Sequence, residues 1–391
     1  MSHRHHFSQA LAARPQRLHV AAHSHHPWPD VTREAHLRAW DLAAARLDEK
    51  WEEVFGAIVP EAAGHVARRL GLPDPTTIAF AGHVHELFVR VLSALPTRPR
   101  VLTTDAEFHS TERQLRRLEE DDLATVHRVA VEPFASFPDR FAQALDTTPA
   151  DLVLVSQVLF TSGYVIPDLP GLLAHAPDDA LVLIDGYHGY MALPTDLGPL
   201  ADRAFYTSGS YKYGMAGEGA AFLHAPPGWA PRPRNTGWFA MFDARDAPDA
   251  GGVAYPTDGG RFRGATLDPT PLLRLNAVQR WLDEQGLDVA AIHAHALALQ
   301  QRLLDALTER PRGPLAPEAV IPPVGVADRG NFLTFRTAHA GTLQARLAAR
   351  EVITDRRGDR LRIGFGLYHE PEDVDALVDH LAAATEDLDG A

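Results

Sequence analysis

Short apolar runs separated by longer amphipathic stretches fill the first half of the chain. They are Thr77-Ile78-Ala79-Phe80, Val101-Leu102-Thr103, Val126-His127-Arg128-Val129, Leu152-Val153-Leu154-Val155, Leu181-Val182-Leu183-Ile184 and Ala204-Phe205-Tyr206. Runs this short, bounded by polar residues, are the pattern of strands, and continuous apolar character marks strands buried on both faces. Their alternation with helical stretches predicts an α/β protein with a mostly parallel sheet covered by helices, and ligands then sit outside the carboxyl ends of the strands. Ahead of the first run, a helix is expected from Asp30, which can cap it, with Leu37, Trp40, Ala44, Leu47 and Trp51 on one face. A second helix is expected over residues 59–70. Residues 225–260 are rich in Pro, Gly and Trp without a period and read as a long excursion over the surface or into a partner subunit. A helix over 271–283 follows, then a proline-rich break at 311–323. A smaller α/β unit closes the chain with a helix over 370–382 that turns Val374, Leu377 and Leu381 inward. No internal repeat is present.

With 391 residues, 45% apolar and 23% charged, the chain has the composition of a globular protein with a sizeable core. A net charge of −14 with scattered basic residues lacks the footprint of a nucleic-acid binder and points to a small-molecule partner. No apolar run approaches membrane-spanning length and the His-rich start has no apolar signal core, so no membrane partner is expected and the expected location is cytoplasmic. The absence of cysteine excludes disulfides, thiolate metal sites and cysteine nucleophiles.

Lysine occurs only twice, at Lys50 and Lys212. A bias toward Arg, Ala, Pro and Leu, of the kind a GC-rich genome produces, accounts for part of this scarcity. A lysine kept in Ser210-Tyr211-Lys212-Tyr213 still suggests chemistry that arginine cannot perform, because only an ε-amine can lose its proton and attack a carbonyl. Lys212 is therefore a candidate Schiff-base lysine, whereas Lys50, on an acidic helical face, reads as a solvated charge. One strand earlier, the 181–184 run ends in Asp185-Gly186-Tyr187-His188. Successive strands can thus deliver a carboxylate and a lysine to one sheet edge. Pyridoxal phosphate needs that pair: the lysine holds its aldehyde, and an anion keeps its pyridine nitrogen protonated. Taken singly, Asp185 also reads as a turn or cap residue and Lys212 as a surface charge.

Asp185-Gly186-Tyr187-His188, Ser208-Gly209-Ser210-Tyr211-Lys212-Tyr213-Gly214 and Gly217-Glu218-Gly219-Ala220-Ala221-Phe222 together resemble the class V aminotransferase family of fold-type I enzymes, and within it the kynureninases. The resemblance extends over most of the chain. It implies pyridoxal 5'-phosphate, a large domain with a mostly parallel seven-stranded sheet flanked by helices, a smaller C-terminal α/β domain, and a homodimer with active sites at the interface. The implied division is an N-terminal segment 1–55 packing with the small domain, a cofactor domain 56–270, and a connecting helix with the small domain 271–391.

By the same resemblance, Gly82, His83 and Val84 form the phosphate loop ahead of a helix N-terminus. Phe108 stacks on the cofactor face, Asp185 meets the ring nitrogen, and Tyr211 and His188 border the cofactor, the latter near its oxygen. Trp238 and Thr266 reach the phosphate of a neighbouring subunit, and Arg362 grips the substrate α-carboxylate. His25 or His26, in a loop over the active site, touches substrate. A core phenylalanine and a surface salt bridge are the ordinary readings of Phe108 and Arg362. No metal is expected, since His23-Ser24-His25-His26 lacks carboxylate partners at helical spacing. Two positions depart from the kynureninase pattern: Thr111 stands where an Asp is usual, and Thr266 where an Asn is usual.

The expected activity on an amino-acid substrate is kynureninase-like hydrolytic Cβ–Cγ cleavage. Transamination, racemisation or epimerisation, and C–S cleavage share the same apparatus, and a cofactor-binding regulatory protein is a reading of another class. A persulfide-forming desulfurase needs a cysteine and is excluded.

Overall fold

A computed structural model describes residues 2–244, 252–325 and 328–388. Seven strands make the central sheet: β1 (Ile78–Ala81), β2 (Arg100–Thr104), β3 (Thr125–Val129), β4 (Leu152–Ser156), β5 (Leu181–Asp185), β6 (Ala204–Ser208) and β7 (Ala221–His224). Their order is β1-β7-β6-β5-β4-β2-β3, parallel throughout except where β7 runs antiparallel to both neighbours. Each of the six apolar runs became a strand. β1, β4, β6 and β7 are buried along their whole length because helices cover both faces of the sheet.

The first long helix, α1 (Val31–Arg46), corrects the expected face. Thr32, Ala35 and Ala39 are buried, while Leu37 and Leu47 are exposed and Trp40 retains 71% of its surface. α1 lies against α5 (Thr270–Glu284), which brings Leu273, Val278 and Trp281 to the core. Small residues on α1 make room for those side chains. Asp30 does not cap the helix through its side chain; its carboxylate accepts hydrogen bonds from the Ser8 and Gln9 amides, tying down the N-terminal segment. Between these elements run α2 (Val59–Arg69), α3 (Val84–Ala94) and α4 (His109–Glu120).

A second apolar core forms around a three-stranded antiparallel sheet of β8 (Phe332–Arg336), β9 (Asp355–Arg357) and β10 (Arg360–Gly364), in the order β9-β10-β8. The helices α6 (Val289–Glu309) and α7 (Pro371–Thr385) enclose it, and Val374, Leu377 and Leu381 of α7 are buried. The N-terminal segment joins this unit: Leu18–His19 pairs in parallel with Val352–Ile353, and Ala21 bridges to Gly364. Of the expected excursion at 225–260, residues 245–251 lie outside the described residues. The described part ends in a turn at Gly259–Phe262 packed beside β1. Among the described residues, no helix is long and apolar enough to cross a membrane.

Candidate active site

β5 and β6 are parallel neighbours with Asp185 opposite Thr207, so both chains emerge at the same sheet edge. β5 ends on Asp185, and β6 continues through Ser208-Gly209-Ser210 to Lys212. Two glycines allow the crossing to close: a Cβ on Gly186 would fall 1.9 Å from the Tyr206 ring, and one on Gly209 would fall 2.1 Å from the Tyr187 hydroxyl. The result is a cavity of about 240 Å³ lined by Asp185, Tyr187, His188, Tyr211 and Lys212 on one side and by His83, Val84, Phe108, Thr111 and Phe160 on the other. Lys212 is buried, with Nζ 2.8 Å from His188 Nε2, 4.4 Å from the Tyr187 ring centroid and 5.5 Å from that of Phe108. His83 caps α3, its Nδ1 accepting from the Glu86 N–H at 3.1 Å, and the first amides of that helix border the cavity.

Burial governs the protonation of these groups. It pulls the Lys212 amine down to about 7, helped by Arg362 and Arg357 and opposed by Asp185. It pushes His188 well below the ordinary histidine value, with Lys212 and Arg362 adding to the effect, so this imidazole is neutral. It raises Asp185, against the Tyr187 amide and the Lys212 charge. The Tyr187 N–H, donating to Oδ1 at 2.9 Å, is the only hydrogen bond to that carboxylate among the described residues. His188 Nδ1 is buried with no partner among them. A buried carboxylate with spare acceptor capacity, a buried amine and an aromatic ring around one cavity form the donor set that a pyridoxal ring requires. The residues present fit that cofactor.

Residues 20–320 match the aminotransferase class-V family, and residues 292–381 match the kynureninase C-terminal domain. The chain belongs to the class V aminotransferase family. With that membership come pyridoxal 5'-phosphate as cofactor and the standing of an enzyme dependent on it. A kynureninase from Deinococcus radiodurans is 30% identical over 254 residues, covering 62% of this chain and 59% of that protein. The fold is also that of a complex of the cystine C-S lyase C-DES with its reaction product cysteine persulfide (TM-score 0.80, 18% identity, 96% of this chain and 98% of that one). Apo cysteine desulfurase from Thermococcus onnurineus NA1 aligns with a TM-score of 0.79 at 16% identity, covering 96% of each chain. These neighbours place the class V chain in the fold-type I architecture.

The remaining expected site residues lie in several different settings. Gly82 and Thr266 line an adjoining cavity of about 460 Å³ with Glu86, Arg90 and Arg274, and the Trp238 Nε1–H donates to Thr266 Oγ1 at 3.4 Å. They do not line the cavity that holds Lys212. His25 is exposed at the rim, its ring stacked on Tyr211 at 4.9 Å. His26 is brought elsewhere: it is buried, edge-on to Tyr368 at 5.0 Å, with Nδ1 2.8 Å from the Pro27 carbonyl, and it does not line the cavity. Arg362 is buried behind Phe160, donating to the Phe160 carbonyl and to Asp355.

Tyr187, Phe160, His23, Arg357 and Glu107 escaped the sequence reading. Tyr187 adjoins Asp185 in a motif already singled out, and Phe160 follows β4. Glu107 is buried beside Phe108. Its carboxylate accepts from Thr104 Oγ1 (2.8 Å), the Ser156 N–H (3.1 Å) and Ser156 Oγ (2.5 Å), and burial raises it to about 7. It joins the ends of β2 and β4 beneath the cavity. Among the described residues, no group of three His, Asp or Glu is placed to hold a metal.

Proposed function

We propose that the protein acts on an amino acid through a Schiff base at Lys212 and performs a kynureninase-like hydrolytic cleavage of the Cβ–Cγ bond. The observation that carries this reading is the buried Lys212 amine, held near neutrality between the Phe108 ring and the Asp185 carboxylate. Bound there, pyridoxal phosphate supplies an electron sink for the charge left when a bond to Cα breaks. Lys212 in its neutral form, about half of the population at pH 7, accepts the Cα proton, and neutral His188 lies against its Nζ through Nε2 at 2.8 Å and orients it. Asp185 holds the proton of the ring nitrogen. Phe108 covers one ring face and excludes water, and Arg362 receives the α-carboxylate. The α3 amides at Val84 and His85 bind phosphate oxygens. The match to a kynureninase C-terminal domain supports the hydrolytic outcome.

We infer a homodimer, in which Trp238 and Thr266 of one protomer complete the phosphate site of its partner, and a division at residues 56 and 271 into N-terminal segment, cofactor unit and small unit. Thr111 and Thr266, standing where kynureninases carry Asp and Asn, favour a second reading. In it the same machinery serves another amino acid by transamination, racemisation or C–S cleavage.

Incubating cofactor-loaded protein with a panel of amino acids that includes kynurenine, with products followed by mass spectrometry, separates these outcomes. Anthranilate and alanine from kynurenine support the hydrolase. A keto acid, or no anthranilate, moves the assignment to the second reading.

A further inference from the structure

His23 is fully buried, yet neither ring nitrogen has a hydrogen-bond partner among the described residues. An orphaned buried imidazole calls for a physical reason. The ring is held firmly. It stacks on Phe332 at 4.5 Å, and Gly364 leaves the space it fills, since a Cβ there would lie 2.4 Å from Nδ1. The backbone around it is docked on β10, with the Gly364 N–H donating to the Val20 carbonyl at 2.8 Å. The carboxylate facing it is Asp355, whose Oδ2 lies 3.7 Å from His23 Nε2. That is about 0.5 Å beyond hydrogen-bonding range.

Asp355 is itself shared. Oδ1 accepts from Arg357 Nη1 at 2.7 Å and from the Arg356 N–H at 2.8 Å, while Oδ2 accepts from Arg362 Nη2. Two guanidiniums thus face one carboxylate, leaving one positive charge for an incoming anion. The Arg362 Nε–H has no partner among the described residues, so a carboxylate that grips Arg362 two-pronged through Nε and Nη2 must replace Oδ2 at Nη2. With Oδ1 anchored, a small rotation of the carboxylate carries Oδ2 toward His23.

We propose that Asp355 is the resident stand-in for the substrate α-carboxylate at Arg362, and that on substrate binding its Oδ2 leaves Arg362 Nη2 for His23 Nε2, which takes up one proton from solvent. This rests on the reading of Arg362 given under Proposed function. In the free protein His23 is kept neutral by burial, with Arg362, Lys212, His19 and Arg357 adding to the effect; Asp355 is the carboxylate that faces it. Once the substrate carboxylate neutralises Arg362 and Asp355 turns to the ring, the imidazolium becomes the favoured form. His23 and Asp355 are positioning residues: they set the cost of seating a carboxylate and couple it to pH.

The test titrates holoenzyme with L-alanine, and with L-alaninamide as the probe lacking a carboxylate, following cofactor absorbance. Calorimetry in two buffers of different ionisation enthalpy counts protons. Asp355→Asn removes the competing charge, so L-alanine binds about tenfold more tightly while L-alaninamide does not. His23→Gln takes up fewer protons than wild type on binding L-alanine, and its affinity loses the part of the wild-type decline with rising pH that belongs to His23. Should Asp355→Asn fail to fold, His23→Gln carries the test alone. The exchange is overturned if wild type and His23→Gln take up equal protons, or if a folded Asp355→Asn binds L-alanine no more tightly. A holoenzyme whose absorbance responds to no amino acid would instead overturn the functional reading on which the exchange rests.

Discussion

The depressed Lys212 amine predicts when the apoprotein can capture its cofactor. With its value near 7 in place of the ordinary 10.5, about half of Lys212 is neutral at pH 7, against roughly 1 part in 3,000 for a solvated lysine. Covalent capture of pyridoxal phosphate requires the neutral amine, so its second-order rate at pH 7 gains on the order of 1,000-fold over an exposed lysine. The rate, followed by stopped-flow absorbance from pH 5 to 10, should rise through a half-maximum near pH 7. Asp185 is the charge that opposes the depression, by favouring the ammonium. Asp185→Asn removes it, and the half-maximum moves to lower pH. Arg362→Gln removes a charge that disfavours the ammonium, and the half-maximum moves up. A half-maximum near pH 10 in wild type, or an upward shift in Asp185→Asn, would refute the assignment of burial and local charge as the causes.

Other outcomes follow from the same geometry. Lys212→Ala abolishes covalent cofactor attachment and turnover, while Lys50→Ala leaves both intact, as absorbance and product formation would report. Arg362→Lys loses the planar two-pronged grip on a carboxylate and raises KM by about tenfold or more with a smaller change in kcat, readable in steady-state kinetics. Gly186→Ala drives a methyl into the Tyr206 ring and costs about 1–3 kcal/mol of stability, measured by denaturant unfolding, and it lowers cofactor affinity because Asp185 is displaced with it.

The legible parts of this protein share a short range. Each of the six apolar runs reports its own burial, and the delivery of Asp185 and Lys212 to one edge needs only that consecutive strands lie parallel. Phe108 and Tyr211, which line the same cavity, lie in motifs adjoining those strands. The face of α1 was read backwards because Leu37, Trp40 and Leu47 carry the larger apolar surface. Their neighbour α5 comes more than 200 residues later, and its bulk selects the alanine side. His26 was grouped with His25 as a loop residue, although the backbone turn between them sends one ring to the rim and the other into an aromatic cluster.

By itself, the sequence determined the α/β class, the strand positions, the delivery of Asp185 and Lys212 to one sheet edge and the exclusion of thiol chemistry, because local period and residue chemistry suffice for these. Tertiary structure alone decided the charge states and the partners of the ionisable groups. Lys212 is near neutrality because folding removes water from around it. Arg362 is met by Asp355 because β9 and β10 pair antiparallel in that register. His23 stands beside that pair because a segment more than 300 residues earlier docks along β10. Desolvation and long-range contact belong to the folded chain, and no local pattern of residues encodes them.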